Sequence, residues 1–312
     1  MTQISTSTTG IFPKIGGTAP SLRANLHKFD RDEIDIAAIE TIIQKNIERA
    51  VVEQIAAGID LPTDGLIRWT DLFSPFVKSW QGLTRRGIHR FYDTNTLYGE
   101  PVVEGELVFT ASHAAADFAI AKEFGAKKAT LPGVFTFAAA CVDNFYHDAK
   151  KLRSVLAANL LLEAQKLVEA GAEIIEIHEP ELSWNQVDVA EITAIYSKFG
   201  ELKTKILVTT YFRNFSQATA DSLLVAKVGI GIDCSKPCEI VSLATPLLQV
   251  GIVDSRETKL ESLEVLAARR AEALQKFPTA EIIFATTSHV EYLPHEIALA
   301  KIALLQNVKN LK

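Results

Sequence analysis

Short apolar stretches and helical stretches alternate along most of the chain. The clearest copy of this unit is Val168–Leu182, where a helix ends, Gly171 forms a turn and a buried strand covers Glu173–Ile177. The polar cluster His178-Glu179-Pro180 follows this strand directly. Apolar β-branched strands that open onto titratable residues are typical of the C-terminal rim of a (β/α)8 barrel.

The same unit recurs eight times, which predicts an α/β fold of the (β/α)8 TIM-barrel class. The predicted strands are Ser7–Phe12, Asp60–Asp64, Lys128–Gly133, Glu173–Ile177, Lys205–Tyr211, Val228–Asp233, Gln249–Val253 and Glu281–Ala285. The predicted helices are Asp30–Gly58, Ala114–Phe124, Phe145–Ala170, Val187–Lys198, Gln217–Leu224, Ile240–Leu247, Leu260–Phe277 and Pro294–Asn307.

One segment departs from this alternation. Val102–Phe109 alternates apolar and polar residues after Pro101, which predicts a β excursion or hairpin after the second strand rather than another barrel strand. Its aromatic residues Phe91, Tyr92 and Tyr98 would either roof a pocket or only pack the insert onto the barrel.

Composition narrows the classes of protein. The 312 residues contain no low-complexity tract or Pro/Gly-rich linker, so we expect a single domain over residues 1–312. A net charge of −6 argues against nucleic-acid binding. No apolar run approaches the ~18 residues of a membrane span, and the start of the chain has no signal-peptide pattern. Three cysteines make no disulfide framework, so we expect a cytoplasmic protein with reduced thiols.

Several segments, taken in order, resemble the cobalamin-independent methionine synthase family, in particular its catalytic half in the short, single-barrel version. They are TTGIFPKIG, GIDLPTDGLIRWTD, FYDTNTLYGEPVVEGEL, LPGVFTFA, LVEAGAEIIEIHEPEL and VGIVDSRETKLES. The resemblance implies a barrel, methionine biosynthesis and transfer of a methyl group to the thiol of homocysteine. It also implies a zinc ion, because coordination replaces the thiol proton at neutral pH.

The family's zinc ligands are missing from this sequence. Where the family has His-x-Cys, this chain has Thr209-Thr210-Tyr211; where it has Glu, the chain has Asp233; and where it has the last Cys, the chain has Thr287-Ser288-His289. Hydroxyl oxygens make poor zinc ligands at neutral pH, so we expect the zinc site to be lost and no resident metal. Cys234 and Cys238 could instead help to rebuild a metal site, or be two reduced thiols near the rim.

The substrate-recognition positions differ as well. The family's Asp-Glu-Pro is His178-Glu179-Pro180 here, its Gly-Glu is Gly65-Leu66, and its loop histidine is Arg256. The acidic groups that would hold an amino-acid ammonium are therefore largely absent. Basic groups among the remaining acids favour a carboxylate- or phosphate-bearing ligand.

We predict that the site lies at the barrel mouth, where a histidine beside carboxylates can act as general acid or base. For Asp64 and Arg68 an ion pair in a solvated loop is an equal alternative. The predicted catalytic residues are His178, Glu179, Asp233 and Tyr211. The predicted substrate-binding residues are Asp64, Arg68, Arg213, Arg256, Ser288 and His289.

Two functional hypotheses follow. The first is an S-methyltransferase-like enzyme, or a divergent metal-free relative, that acts on a small anionic or thiol substrate. The second is a non-catalytic barrel that serves as a binding or partner subunit in a methyltransferase or corrinoid system. The reactive side chains kept at the strand ends favour the enzyme. The sequence does not identify the substrate, the methyl donor or the oligomeric state.

Overall fold

The computed structural model describes residues 3–94, 96–213, 216–235 and 244–311. Its strands are β1 Ile4–Thr9, β2 Trp80–Arg90, β3 Leu97–Phe109, β4 Lys128–Pro132, β5 Val142–Asp143, β6 Ile174–His178, β7 Lys205–Thr209, β8 Gly229–Asp233, β9 Leu247–Val253 and β10 Glu281–His289. Its helices are α1 Leu22–Asp30, α2 Ile36–Ala56, α3 Ser74–Ser79, α4 His113–Glu123, α5 Val134–Ala140, α6 Ala149–Glu169, α7 Glu181–Trp184, α8 Val189–Gly200, α9 Gln217–Val225, α10 Leu263–Lys276 and α11 His295–Asn310.

A curled parallel sheet forms the centre of the α/β fold. Within the described ranges it has seven strands in the order β1-β10-β9-β8-β7-β6-β4. Every neighbouring pair in this sheet is parallel, so the carboxyl ends of all its strands lie at one edge. Two isolated parallel bridges, Ser7 to Leu61 and Thr63 to Lys128, join the segment after α2 to β1 and to β4.

Side-chain caps explain where several helices begin. The carboxylate of Asp148 accepts hydrogen bonds from the first turn of α6, so this helix starts at Ala149 and not at Phe145 as predicted. The predicted helix Asp30–Gly58 corresponds to α2 alone, and α1, which ends at Asp30, was not predicted. The chain turns at Asp32, whose φ is 56°, before Asp35 caps α2.

Other predicted bounds were wrong. The predicted second strand, Asp60–Asp64, contains only the two isolated bridges within the part of the chain that is described. The last strand continues to His289, four residues beyond its predicted end. Half of the predicted helix Ile240–Leu247, residues 240–243, lies outside the described residues; 244–246 are not helical, and Leu247 begins β9.

The β excursion is confirmed as an antiparallel hairpin of β2 and β3, and β5 adds a short parallel pairing to β3. Phe91, which follows β2 directly, lies over the carboxyl edge of the central sheet. It contacts His289 there, with their ring centroids 6.3 Å apart. The hairpin therefore covers the edge where the strand-end side chains meet.

The inner face of the curled sheet is layered. Ile174, Leu207, Leu247 and Ile283 form a separate apolar cluster toward the amino ends of their strands. A larger apolar core fills the space between the sheet and the helices. Because side chains alternate along a strand, the next inward positions of β6 are Glu176 and His178, and both are fully buried. None of the helices in the described ranges combines the length and apolar character that a membrane span requires.

Candidate active site at the carboxyl edge of the sheet

Three of the predicted site residues form an aromatic cluster beneath the hairpin. The ring centroid of His178 lies 5.3 Å from that of Tyr211 and 5.4 Å from that of His289. The Tyr211 hydroxyl is 3.3 Å from Nε2 of His289. All three side chains are buried. They come from the ends of β6, β7 and β10, which the parallel sheet brings to one edge.

The hydrogen bonds of His289 define its tautomer. Its Nδ1 accepts from the backbone N–H of Ile11 at 3.4 Å, so the ring proton is assigned to Nε2, which faces the Tyr211 hydroxyl. Burial lowers the pKa of His289 well below its ordinary value, and the neighbouring His178 lowers it further. Burial raises the pKa of Tyr211. His289 and Tyr211 are therefore a neutral pair.

A buried charged network below this cluster was missed in the sequence analysis. Lys128 Nζ lies 2.8 Å from Oε2 of Glu176, and neither side chain is exposed. The other carboxylate oxygen of Glu176 accepts hydrogen bonds from Thr209 at 2.9 Å and from Gln249 at 2.5 Å. Nε2 of His178 is 3.3 Å from the Oε2 atom. A charged residue inside the apolar run Ile174–Ile177 was the signal that could have revealed this network.

The network favours an ionised Glu176. Burial alone would raise the pKa of this carboxyl, but the Lys128 ammonium and, to a smaller extent, His178 hold it well below its usual value. Burial also lowers the pKa of Lys128, and Glu176 opposes that effect. We take the pair as charged because the carboxylate has two further hydrogen-bond donors, Thr209 and Gln249, that favour its anionic form.

Glu179 lies away from the mouth. Its carboxylate accepts hydrogen bonds from the backbone N–H groups of Phe135 at 3.0 Å and Thr136 at 2.6 Å, and from the hydroxyls of Thr136 and Tyr196. Burial raises its pKa to about 7, against these hydrogen bonds, which lower it. In this structure Glu179 holds the amino end of α5 and has no exposed surface that could contact a substrate.

Asp233 and Ser288 are at the same edge but in separate contacts. The Asp233 carboxylate accepts from the backbone N–H of Ser235 at 2.9 Å and from its hydroxyl at 2.7 Å, and it lies 3.9 Å from Arg256. The Ser288 hydroxyl is 2.9 Å from that of Ser255. Among the described residues, the hydrogen-bond and ion-pair partners of these two side chains do not include His178.

A cleft of about 820 Å³ opens above the aromatic cluster. Arg213 lies over the ring of Trp184 at 3.6 Å, and Arg256 lies over Phe212 at 5.7 Å. Both guanidinium groups are only loosely paired with carboxylates, at 3.8 Å for Arg213 and 3.5–3.9 Å for Arg256. The residues that line the cleft are Thr70, Asp93, Thr94, Thr96, Trp184, Phe212, Arg213, Arg256, Glu291 and Tyr292.

Strained backbone marks the wall between the cleft and the buried cluster. Phe212 has a φ of 77° and Tyr92 a φ of 50°, in the left-handed region that bulky side chains rarely adopt. Such conformations cost about 1–3 kcal/mol each and are concentrated at functional sites. Phe212 packs against Tyr211, and Tyr292 stacks on His289, so aromatic rings separate the cleft from His178.

Asp64 and Arg68 do not join this cleft. The Arg68 guanidinium donates to both carboxylate oxygens of Glu40, at 2.7 and 2.8 Å, and to Asp117 at 2.7 Å. It borders a separate apolar cavity of about 270 Å³ next to α1 and α2. Asp64 is buried, and burial raises its pKa to about 7, with Asp117 raising it further. Arg68 thus binds two acids, and neither of them is Asp64.

The side chains at the family's zinc positions do not fit zinc. The Thr209 hydroxyl donates to Glu176, the Ser288 hydroxyl contacts Ser255, and the Asp233 carboxylate is bound by Ser235. They offer oxygen atoms that already have partners, whereas zinc prefers sulfur and nitrogen ligands. Among the described residues, no group of three or more His, Cys, Asp or Glu side chains could hold a metal ion. Cys234 is half-buried next to Asp233, and Cys238 lies outside the described residues.

The chain is thus an α/β protein with a candidate site at the carboxyl edge of a parallel sheet. Residues 82–276 match the sequence profile described as cobalamin-independent synthase, N-terminal domain. The chain therefore belongs to the cobalamin-independent synthase family. The matching profile is that of the N-terminal domain, whereas the quoted sequence segments resemble the family's metal-binding catalytic half.

Relatives and solved structures agree with this assignment. The chain is 26% identical over 282 residues to methionine synthase of Sulfurisphaera tokodaii, covering 86% of this chain and 82% of the relative. It is 22% identical over 314 residues to that of Sulfolobus acidocaldarius, covering 97% and 90%. In fold it is similar to a B12-independent methionine synthase from Shewanella sp. W3-18-1 in complex with selenomethionine. That match has a TM-score of 0.78 and 21% identity, and it covers 98% of this chain and 96% of the other.

Proposed function

We propose that this protein is a methyl- or alkyl-transfer enzyme of the methionine-synthase type that binds a small anionic or thiol substrate in the cleft. The observation that carries the proposal is the pair Arg213 and Arg256, whose guanidinium groups stand over aromatic rings in the wall of the cleft. An aromatic platform fixes a guanidinium plane, and loose pairing with carboxylates leaves N–H donors for a ligand.

Membership of the family supports the reaction class. The curated relatives named methionine synthase match over most of their own length, so the resemblance does not rest on a fragment. The Shewanella relative is in complex with selenomethionine, an amino acid with a carboxylate. A carboxylate is the kind of group that Arg213 and Arg256 would bind. The alternative, a non-catalytic partner barrel, has no such support among these relatives.

We also propose that the central sheet closes into an eight-stranded barrel, with the segment Leu61–Thr63 as the remaining strand. The support is the pair of parallel bridges, Ser7 to Leu61 on one side and Thr63 to Lys128 on the other. Leu61 also packs against the apolar cluster inside the sheet, as a barrel strand would. The Leu61 N–H donates to the carbonyl of Thr6 at 3.0 Å, and the Lys128 N–H donates to that of Pro62 at 3.1 Å. Slow amide exchange at Leu61 and Lys128, comparable with that of β1, would support closure, and rapid exchange would contradict it.

The binding proposal is tested by titrating the protein with L-selenomethionine in a calorimeter. The variant Arg256→Ala is expected to bind about tenfold more weakly or worse, because a hydrogen bond to a charged group contributes about 1.5–3 kcal/mol. Arg213→Ala is expected to weaken binding in the same direction. The matched control is Arg86→Ala, which removes an exposed arginine that pairs with Glu100 on the hairpin.

Inorganic phosphate serves as a second probe in the same titration. If phosphate competes and L-selenomethionine does not bind, the cleft takes an anion of a different class, and the amino-acid part of the proposal fails. If neither probe binds, or if the three arginine variants bind alike, the cleft is not an anion site.

A further inference from the structure

His178 is a buried side chain whose polar atoms are not fully used. It has no exposed surface, and neither Nδ1 nor Nε2 has a well-aligned hydrogen-bond partner among the described residues. A buried polar group without a hydrogen-bond partner lowers the stability of the folded protein by about 1–3 kcal/mol, so its presence requires an explanation. Nε2 lies 3.3 Å from the carboxylate of Glu176, while no contact is described for Nδ1.

The groups around His178 favour one arrangement of its proton. Glu176 is the carboxylate next to the ring, and Lys128 holds that carboxylate at 2.8 Å from the other side. His289 and Tyr211 also pack on the ring, and they already face each other. An anionic oxygen near Nε2 attracts a proton to Nε2, which leaves the lone pair of a neutral ring on Nδ1.

We propose that Glu176, anchored by Lys128, is a positioning residue that keeps the proton of His178 on Nε2, so that Nδ1 accepts the proton of a substrate thiol. This inference rests on the proposed function and adds a metal-free way to activate the thiol. The S–H bond breaks, its electron pair stays on sulfur as a thiolate, and the proton forms an N–H bond at Nδ1. The positive charge that develops on the imidazole lies next to the anionic Glu176.

Anchoring by Lys128 and two hydrogen-bond donors makes Glu176 suited to this role. Its second oxygen is fixed by Thr209 and Gln249, so the carboxylate cannot rotate away from the ring without breaking three contacts. A carboxylate that is preorganised in this way stabilises charge without rearrangement during the reaction. The aromatic rings that separate His178 from the cleft have to move before a substrate reaches Nδ1.

The test is a long-range ¹H–¹⁵N correlation spectrum of the histidine side chains. The chain has seven histidines, and His178→Gln assigns the signal of interest. In the wild-type protein we expect His178 to show the pattern of a single tautomer with the proton on Nε2, and this proton to exchange slowly with water. A wild-type spectrum with the proton on Nδ1, or with protons on both ring nitrogens, overturns the proposal without any further variant.

Two variants separate positioning from simple packing. In Glu176→Gln, and in the double variant Glu176→Gln with Lys128→Met, the single-tautomer pattern is expected to give way to a mixture. The matched control is Glu179→Gln, which removes a buried carboxylate one residue from His178 that caps α5 instead. It is expected to leave the His178 pattern unchanged even if it lowers stability. An unchanged pattern in both Glu176 variants refutes the positioning role.

The outcome is distinguishable from failure of the proposed function. The spectrum is recorded on ligand-free protein, so it reports the tautomer of His178 whether or not the cleft binds L-selenomethionine. If the cleft binds L-selenomethionine but His178 has the opposite tautomer, the proposed function stands and the positioning role of Glu176 is refuted. If His178 has the expected tautomer but the cleft binds no ligand, Glu176 positions the His178 proton and the proposed function is refuted.

Discussion

Lys128→Met is expected to be among the most destabilising single changes in the sheet, because it leaves the Glu176 carboxylate charged and unpaired in the interior. The two groups are 2.8 Å apart, and their direct attraction is about 6 kcal/mol at an effective dielectric constant of about 20. Desolvation of both ions offsets most of that attraction. Removing one partner of a buried pair nevertheless typically costs about 3–5 kcal/mol, because the other charge remains.

The double variant Lys128→Met with Glu176→Gln distinguishes this explanation from a loss of packing. It removes both charges and keeps a side chain that can hydrogen-bond to Thr209 and Gln249. We therefore expect it to lose less stability than Lys128→Met alone, with a coupling energy of about 3 kcal/mol. Urea denaturation of the wild type, both single variants and the double variant gives the four free energies of unfolding.

An exposed pair in the same sheet provides the control. Lys205 Nζ lies 2.6 Å from Glu281, but the Lys205 side chain is 50% exposed. Lys205→Met should therefore lose only about 0.2–1 kcal/mol. If the losses of the two buried single variants simply add in the double variant, or if Lys205→Met is as harmful as Lys128→Met, the account of Lys128 as a buried counter-ion is refuted.

Three further variants test other parts of the structure. The free energy of unfolding should fall as pH rises from about 4.5 to about 7, because folding raises the pKa of Glu179 from 4.5 to about 7 and the folded state keeps the proton longer. Glu179→Gln should reduce this slope in urea titrations at several pH values, and the raised pKa of Asp64 accounts for part of the slope that remains. Gly231→Ala puts a methyl group 2.3 Å from the Thr209 hydroxyl, so the thermal midpoint should fall, with a loss of about 1–3 kcal/mol. Arg68→Met leaves the buried Asp117 without its partner and should lose about 2–3 kcal/mol, yet keep L-selenomethionine binding unchanged because it borders a different cavity. An unchanged pH dependence of stability in Glu179→Gln would contradict this reasoning. So would an unshifted thermal midpoint in Gly231→Ala or weakened L-selenomethionine binding in Arg68→Met.

Periodicity predicted much of the architecture because strand and helix residues have different spacing. The parallel strands near Ile174 and Gly229 and the hairpin after Trp80 all follow from local patterns. Helix α1 was not predicted, and the start of α2 was placed too early, because it depends on a positive φ at Asp32 and on a cap at Asp35 that apolar spacing does not report. The second strand, Asp60–Asp64, was predicted to pair continuously, but it forms only two isolated bridges within the described ranges, because an apolar pattern does not show how many residues pair.

The site was harder to predict, because sequence position gives the end of a strand but not the direction of a side chain. His178, Tyr211 and His289 do meet at one edge of the sheet, since parallel strands bring their carboxyl ends together. Glu179, adjacent to His178, points the other way and caps a helix. Arg68 looked like a cleft residue but binds Glu40 and Asp117, which are far from it in sequence.

The hairpin of β2 and β3 has a consequence for how the sequence of this protein can evolve. Its tip covers the strand-end cluster, with Phe91 against His289, while its strands pair with each other and with β5 outside the central sheet. A substitution in the tip therefore changes what covers the strand-end cluster and leaves the strand pairing of the central sheet in place. Under the proposed function, ligand preference can vary through hairpin residues that take no part in the pairing of that sheet.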